Sequence, residues 1–256
     1  DGFRGHWNGS ETRPTRDMLE QAGVLGHSEQ DGSRIPADAS LLVFSAALPT
    51  GHPELEAARS RGIPMVGYPE MLGALMAERK GIAVAGTHGK TTVTAMTAWC
   101  LRGAGLEPGF VIGGFVPCLG AGADMGSSEL FVVEACEYNR SFLNLFPEVA
   151  VVTNIEADHL DVYTDLGAIR EAFRSFISHL PREQGVLVYS ASCPNTAWLL
   201  DAAPKRAVSF GIDTDAAFAA RNLATDGQGT SFEVVIEGGA EHGARISLPG
   251  RHNVLN

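Results

Sequence analysis

A lysine set between glycine and hydroxyl residues is the part of this sequence best suited to chemistry. Gly86-Thr87-His88-Gly89-Lys90-Thr91-Thr92 follows a short apolar run, Ile82 to Ala85. Thr94, Ala95, Thr97, Ala98 and Leu101 then continue with helical character. Strand, glycine loop and helix start in immediate succession read as a phosphate-binding loop. The two glycines let the backbone fold tightly enough for N–H groups to converge on an anion, and the helix N-terminus adds unpaired donors. Lys90 supplies a point charge for the β- and γ-phosphates of ATP, and the Thr91 hydroxyl can complete a Mg2+ shell. Only the second half of the G-x-x-x-x-G-K-[ST] pattern is present, since its first glycine would fall at Val84. The alternative is a plain strand-to-helix turn whose lysine is solvated.

Two more residues share the setting. Glu134 ends the apolar run Leu130–Val133, and His159 lies beyond the run Val149–Thr153, within Asn154 to Tyr163. Strand ends on one edge of a parallel sheet converge on one crevice, where a carboxylate and an imidazole could hold Mg2+ against ATP phosphates. Glu134 is the ordinary ligand type, while an imidazole is softer than Mg2+ prefers. Helix capping or a salt bridge is the other reading for Glu134, and a hydrogen-bonded structural histidine the other for His159. Asp158 and Asp161 flank His159 as supporting carboxylates.

The elements that position these residues alternate. Glu11–Ala22 has helical spacing at Thr15, Met18, Leu19 and Ala22. Leu41–Phe44 reads as a buried strand, Pro53–Arg61 as a helix with proline in its first turn, Ile63–Val66 as a strand and Glu70–Met76 as a helix. From Lys80 the strands at Ile82–Ala85, Phe110–Ile112, Leu130–Val133, Val149–Thr153, Val186–Tyr189 and Ala207–Phe210 continue the alternation. The helix Leu166–Leu180 carries Ile169, Phe173, Phe176 and Leu180 on one face. The glycine-rich stretch Gly113–Gly126 follows the strand that ends at Ile112, and the PGRHN near the end is loop-like. Alternating segments after Phe218 suggest an antiparallel edge. The fold class is α/β, a partial Rossmann-like unit followed by a mostly parallel ATPase-type sheet.

Composition bounds the function. With 256 residues, 45% hydrophobic and 19% charged, the chain can bury a sizeable core. A formal charge of −11 argues against a nucleic-acid surface. Cys100, Cys118, Cys136 and Cys193 form no C-x-x-C pair, which fits reduced thiols in a cytoplasmic protein rather than a zinc site or disulfide framework. No apolar run approaches membrane-spanning length and no signal peptide is visible, so no membrane partner is expected. The oligomeric state is left open.

Three blocks, GTHGKTT, VVEACEYNRSFLNLFPEVAVVTNIEADHLDVY and PGRHNVLN, stand in the order found in the Mur ligases, and the chain resembles that family from about Ser10 to Asn256. SETRPTRDMLEQAG and SAALPTGHPELEAAR resemble the family's UDP-sugar-binding domain. The resemblance implies a partial UDP-sugar-binding domain over residues 1–79 and a central ATP-binding domain over 80–256, truncated at its C-terminal end. It implies an ATP-dependent amide ligase of peptidoglycan synthesis. ATP would phosphorylate the lactyl carboxylate of UDP-N-acetylmuramate, and L-alanine would then displace phosphate from the acyl phosphate. A recycling ligase that attaches a tripeptide to the same nucleotide sugar is a second reading, and a non-catalytic nucleotide-binding module a third. The family carries a glycine-rich first strand before Asp1, and more of the ATPase domain and a third domain after Asn256, so this stretch alone is expected not to turn over.

Position by position, the resemblance implies that Lys90, Glu134 and His159 are catalytic and that Thr91, Glu134 and His159 meet magnesium. Gly86, Thr87, His88, Gly89, Lys90, Thr91 and Thr92 would hold the phosphates, and Asn253 and Asn256 would lie near adenine. Ser45 and Ala46 would meet the UDP moiety. Cys136 stands where the family has aspartate and is expected to be a small buried residue. His52 stands where asparagine often precedes the proline-glutamate pair. No lysine lies between Lys90 and Lys205, so Arg170 is the nearest cation in the helix where several relatives carry a carbamylated lysine.

Overall fold

The structure, a computed structural model, describes residues 6–8, 17, 19–20, 23–27, 29–159 and 161–256. The helix expected over Glu11–Ala22 lies almost wholly outside the described residues. Near the start, β1 (His6–Asn8) pairs in parallel with β2 (Leu25–His27), a pair that no sequence pattern marked. A second parallel pair joins β3 (Leu42–Phe44) to β4 (Met65–Gly67) through α1 (Pro53–Ser60). Pro53 suits the first turn because its φ is already helical, and His52 caps it through Nδ1, which accepts the Glu54 N–H at 3.4 Å. That cap accounts for His52 in place of asparagine. The next helix, α2 (Tyr68–Ala77), sends Leu72 and Met76 into the core beneath the large sheet.

That sheet carries the rest of the chain. Its elements are β5 (Lys80–Ala85), α3 (Lys90–Gly103), β6 (Gly109–Val116), β7 (Ala121–Asp124), β8 (Leu130–Glu134) and β9 (Val149–Val152). They continue as α4 (Leu166–Ile177), β10 (Val186–Ser190), β11 (Arg206–Ile212), β12 (Phe218–Asp226), β13 (Gly229–Ile236), β14 (Ala240–Ile246) and α5 (Arg251–Leu255). Ten strands lie in the order β14-β13-β12-β11-β10-β9-β5-β8-β6-β7. The run from β6 through β12 is parallel and β7, β13 and β14 are antiparallel; the sequence pattern predicted the antiparallel edge after Phe218 but not β7. Two readings need correction. The strand read over Phe110–Ile112 does not stop there, because β6 runs on to Val116 and turns back as β7. Small side chains there leave no apolar pattern to read, yet the backbone still pairs. PGRHN likewise leads into a helix that opens at Arg251.

Alternation along β8 divides the core between the two faces of the sheet. Phe131 and Val133 join Phe142, Phe173, Phe176 and Leu187 on one face, while Val132 joins Ala98, Phe110 and Ile112 on the other. Helix α4 covers the first face and helix α3 packs on β6 and β8 of the second. Asp165 starts α4 by accepting the Ala168 N–H at 2.9 Å, and Ile169, Ala172, Phe173 and Phe176 form its buried stripe. Among the described residues no helix is long and apolar enough to cross a membrane.

Candidate functional site

Strand β5 lies between β8 and β9, and the chain builds first to one side of it and then to the other. This is a topological switch point, where loops part and leave a crevice beyond the strand ends. The registers fix what faces that crevice. Val84 lies opposite Glu134 and Ala85 opposite Val152, so Gly86, Glu134 and Thr153 meet at one edge.

The loop Gly86–Thr92 requires both its glycines. Gly86 has φ 141° and a Cβ there would collide with the Thr153 hydroxyl. Gly89, with φ 84°, opens α3, and a Cβ would stand 2.5 Å from Asn256 Oδ1. Asn256 thus packs against the loop, whereas Asn253 donates Nδ2 to the Pro249 carbonyl at 2.8 Å on its own turn. Not every loop N–H points to an anion. Thr87 N–H goes to the Asn154 carbonyl at 3.1 Å and His88 N–H to Asn154 Oδ1 at 2.9 Å. Asn154 Nδ2 donates back to the His88 carbonyl at 3.0 Å, and Thr153 Oγ1 donates to the same carbonyl at 2.6 Å. The donors left for a phosphate are the first-turn N–H groups of α3, which no preceding turn can satisfy.

Lys90 Nζ donates to the carbonyls of Gly86 at 2.6 Å and Thr87 at 3.1 Å, and to Glu137 Oε1 at 2.9 Å. The Glu137 side chain is only 3% exposed. Its carbonyl accepts the Tyr163 hydroxyl at 2.6 Å, and burial, with the Glu137 charge beside it, pushes the Tyr163 phenol up to about 12. Glu137 was not among the sequence candidates. Glu134 accepts the Thr91 hydroxyl at 2.9 Å through Oε1 and the Gly113 N–H at 2.7 Å through Oε2, so among the described residues it neither caps a helix nor pairs with a cation.

His159 is held elsewhere. Its φ of 51° bends the loop so that its carbonyl accepts the N–H groups of Val162 and Tyr163. Its Nε2 stands 3.7 Å from Glu137 Oε1 and 4.0 Å from Asp158 Oδ2, and the Tyr138 ring meets it edge-on at 5.1 Å. Asp158 also accepts the His159 N–H, and Asp161 accepts the Tyr138 hydroxyl at 3.3 Å. The three expected metal ligands therefore divide, with Thr91 and Glu134 in contact and His159 beside Glu137. Among the described residues no group of three His, Cys, Asp or Glu is placed to hold a metal. The Thr91–Glu134 oxygen pair nevertheless suits Mg2+, which keeps waters and takes phosphate oxygens for the rest of its shell.

Several other expectations find their place here. Ser45 and Ala46 lie in the turn after β3, where Ser45 Oγ accepts the Ala47 N–H at 3.2 Å. Arg170 turns to Asn195 Oδ1 and lies 5.0 Å over the Trp198 ring, while Asn195 Nδ2 donates to the Ile155 carbonyl at 2.7 Å. That cation braces the backbone that carries Asn154 and His159. Cys136 is exposed rather than buried, a correction that follows from its place just past the end of β8. Desolvation of the sulfur and the Glu137 charge push its thiol up, which opposes a reactive thiolate.

A mostly parallel sheet with a glycine-lysine loop at its switch point makes this an α/β protein of the phosphate-loop ATPase type. Residues 84–256 match the Mur ligase middle domain, and residues 6–80 match the Mur ligase family catalytic domain. The chain belongs to the Mur ligase family. It is 39% identical over 244 residues to UDP-N-acetylmuramate–L-alanine ligase of Syntrophotalea carbinolica, a match covering 94% of this chain and 52% of the relative. The ligase of the same name from Xylella fastidiosa is 44% identical over 216 residues, covering 84% of this chain and 45% of the relative. The chain spans about half the length of the curated relatives it matches. Among solved structures, UDP-N-acetylmuramate:L-alanyl-gamma-D-glutamyl-meso-diaminopimelate ligase from Neisseria meningitides matches with TM-score 0.83 and 29% identity, covering 98% of this chain and 82% of that one. UDP-N-acetylmuramate-alanine ligase from Thermotoga maritima shares the fold, with TM-score 0.82 at 23% identity, covering 98% of this chain and 56% of that one.

Proposed function

We propose that this chain carries the nucleotide-binding part of an ATP-dependent ligase that joins L-alanine to the lactyl carboxylate of UDP-N-acetylmuramate. The observation that carries the reading is the meeting of Lys90, Thr91 and Glu134 at the switch point of a Mur ligase sheet. Relatives of that name at 39% and 44% identity support the choice of amine. The solved structure at 29% identity supports a second reading, in which the amine is a recycled tripeptide.

The chemistry asks a carboxylate to attack an anionic phosphoryl group, which requires in-line positioning and local positive charge. The carboxylate oxygen bonds to the γ-phosphorus as ADP leaves. The amine then attacks the acyl carbon, phosphate leaves, and the amine gives up its proton. In this reading the first turn of α3 holds phosphate oxygens by backbone N–H groups, and Lys90 neutralises charge on the transferred group. Glu134 and Thr91 would hold Mg2+, which supplies further charge neutralisation. Asn154 fixes the loop by bonding both polar groups of His88. Ser45 and Ala46 would face the UDP moiety, and His159 would bind a second magnesium. The reaction is assigned to the cytoplasm, where ATP is supplied.

The test is phosphate release from ATP by the chain extended to the full length of its relatives. The assay supplies UDP-N-acetylmuramate with L-alanine, L-serine, glycine or the tripeptide. Release dependent on L-alanine is expected. Release with tripeptide alone would transfer the chain to the second reading, and ATP binding without release under any amine would overturn both.

A further inference from the structure

The Lys90 ammonium has three protons, and three acceptors already take them: the Gly86 and Thr87 carbonyls and the Glu137 carboxylate. None remains for a phosphate. Nζ lies 2.9 Å from both Glu137 oxygens, but the hydrogen bond runs to Oε1, and buried Oε2 has no aligned donor. Glu137 is therefore a buried carboxylate met at hydrogen-bond distance by one cation, Lys90. His159 Nε2 at 3.7 Å, with Asp158 behind it, is a further ionisable group beside Glu137, as are Cys136 and Tyr163.

The backbone of Glu137 is held in place. Its carbonyl is tied by the Tyr163 hydroxyl at 2.6 Å and by the Arg140 N–H at 2.9 Å, and Tyr163 is buried. The Lys90 ammonium rides on a long side chain with four rotatable bonds, whereas the backbone that carries the Glu137 carboxylate is tied from behind. We infer that Glu137 is a positioning residue that stows the phosphate-loop lysine, and that a nucleotide's phosphates compete with its carboxylate for Lys90. The inference rests on reading Gly86–Thr92 as a nucleotide phosphate site.

Glu137→Gln keeps the size of the side chain and removes the competing charge. Calorimetric titration of this chain should then show ATP binding about fivefold to tenfold tighter than in the parent. Adenosine, which has no phosphate, should bind with unchanged affinity. A residue needed merely for packing would weaken binding when altered, so the direction of the change is diagnostic. Unchanged or weaker ATP binding overturns the inference, as does equal tightening for adenosine. If Glu137→Gln does not fold, Glu137→Asp draws the carboxylate back from Lys90 while leaving the Tyr163 bond to the backbone, and tightening is expected again. Lys90→Ala, titrated in parallel, separates two failures. Lost ATP binding there without a gain at position 137 overturns the stowing role alone. Retained ATP binding there overturns the phosphate-loop reading and this inference with it.

Discussion

Tyr163 shows how one buried side chain secures the backbone of another residue. Its hydroxyl donates to the Glu137 carbonyl, and the ring is almost fully buried, with the Arg140 guanidinium 5.9 Å over it. Tyr163→Phe should lower stability by about 1 kcal/mol near neutral pH through loss of that bond. Alkaline titration supplies a sharper test. The folded phenol is held at about 12, above an unfolded value near ~10, so the folded state keeps its proton longer. The stability from this group is fully present below pH ~10 and is lost as pH rises towards about 12. Urea unfolding across that range should show the gap between parent and Tyr163→Phe closing; a constant gap would deny the raised phenol. The glycine loop and Glu134 were legible because their signal is local, a spacing beside an apolar run. Glu137 was not, because nothing in EACEYN distinguishes a carboxylate turned beneath the sheet edge from one in water. Thr153 and Asn154 were missed for the same reason, since their partners stand more than sixty positions away.

At the scale of elements, the unexpected piece is the 3-10 turn Tyr138–Asn144 between β8 and β9. It contains Asn139 and Arg140 at positive φ, so no helical periodicity reaches the sequence. Phe142 anchors it. That ring is fully buried, stacked on Phe176 at 4.9 Å and edge-on to Phe173 at 5.1 Å. Helix α4 was legible because its buried stripe keeps a regular spacing, while its partner in the core was not. Phe142→Ala should cost about 3–5 kcal/mol, the usual range for emptying a buried aromatic site. The same cavity lies beneath the segment that carries Glu137 and Tyr138, so nucleotide affinity should also move. Chemical denaturation and calorimetry on one preparation would check both. A loss below about 1 kcal/mol would mean that the turn is not fixed by its aromatic anchor.

For the whole molecule, strand-helix alternation predicted a parallel sheet, but not that β5 would lie between β8 and β9. That order depends on which strand pairs with which across long stretches of chain, information that no local pattern contains. The switch point matters because the molecule is acidic, at −11, and its proposed ligand is also an anion. Long-range repulsion should slow the approach of ATP, while the attraction of α3's first turn acts within a few ångströms. Lys90, already paired with Glu137, adds little positive field at the entrance. Screening should therefore help binding. The Debye length falls from about 30 Å at 0.01 M salt to about 8 Å at 0.15 M, enough to remove most of the repulsion from the far surface. Stopped-flow association of ATP should accelerate about twofold to fivefold over that range. A rate that falls with salt would show that local positive charge governs the approach, and the placing of Lys90 against Glu137 would then have to open before the encounter.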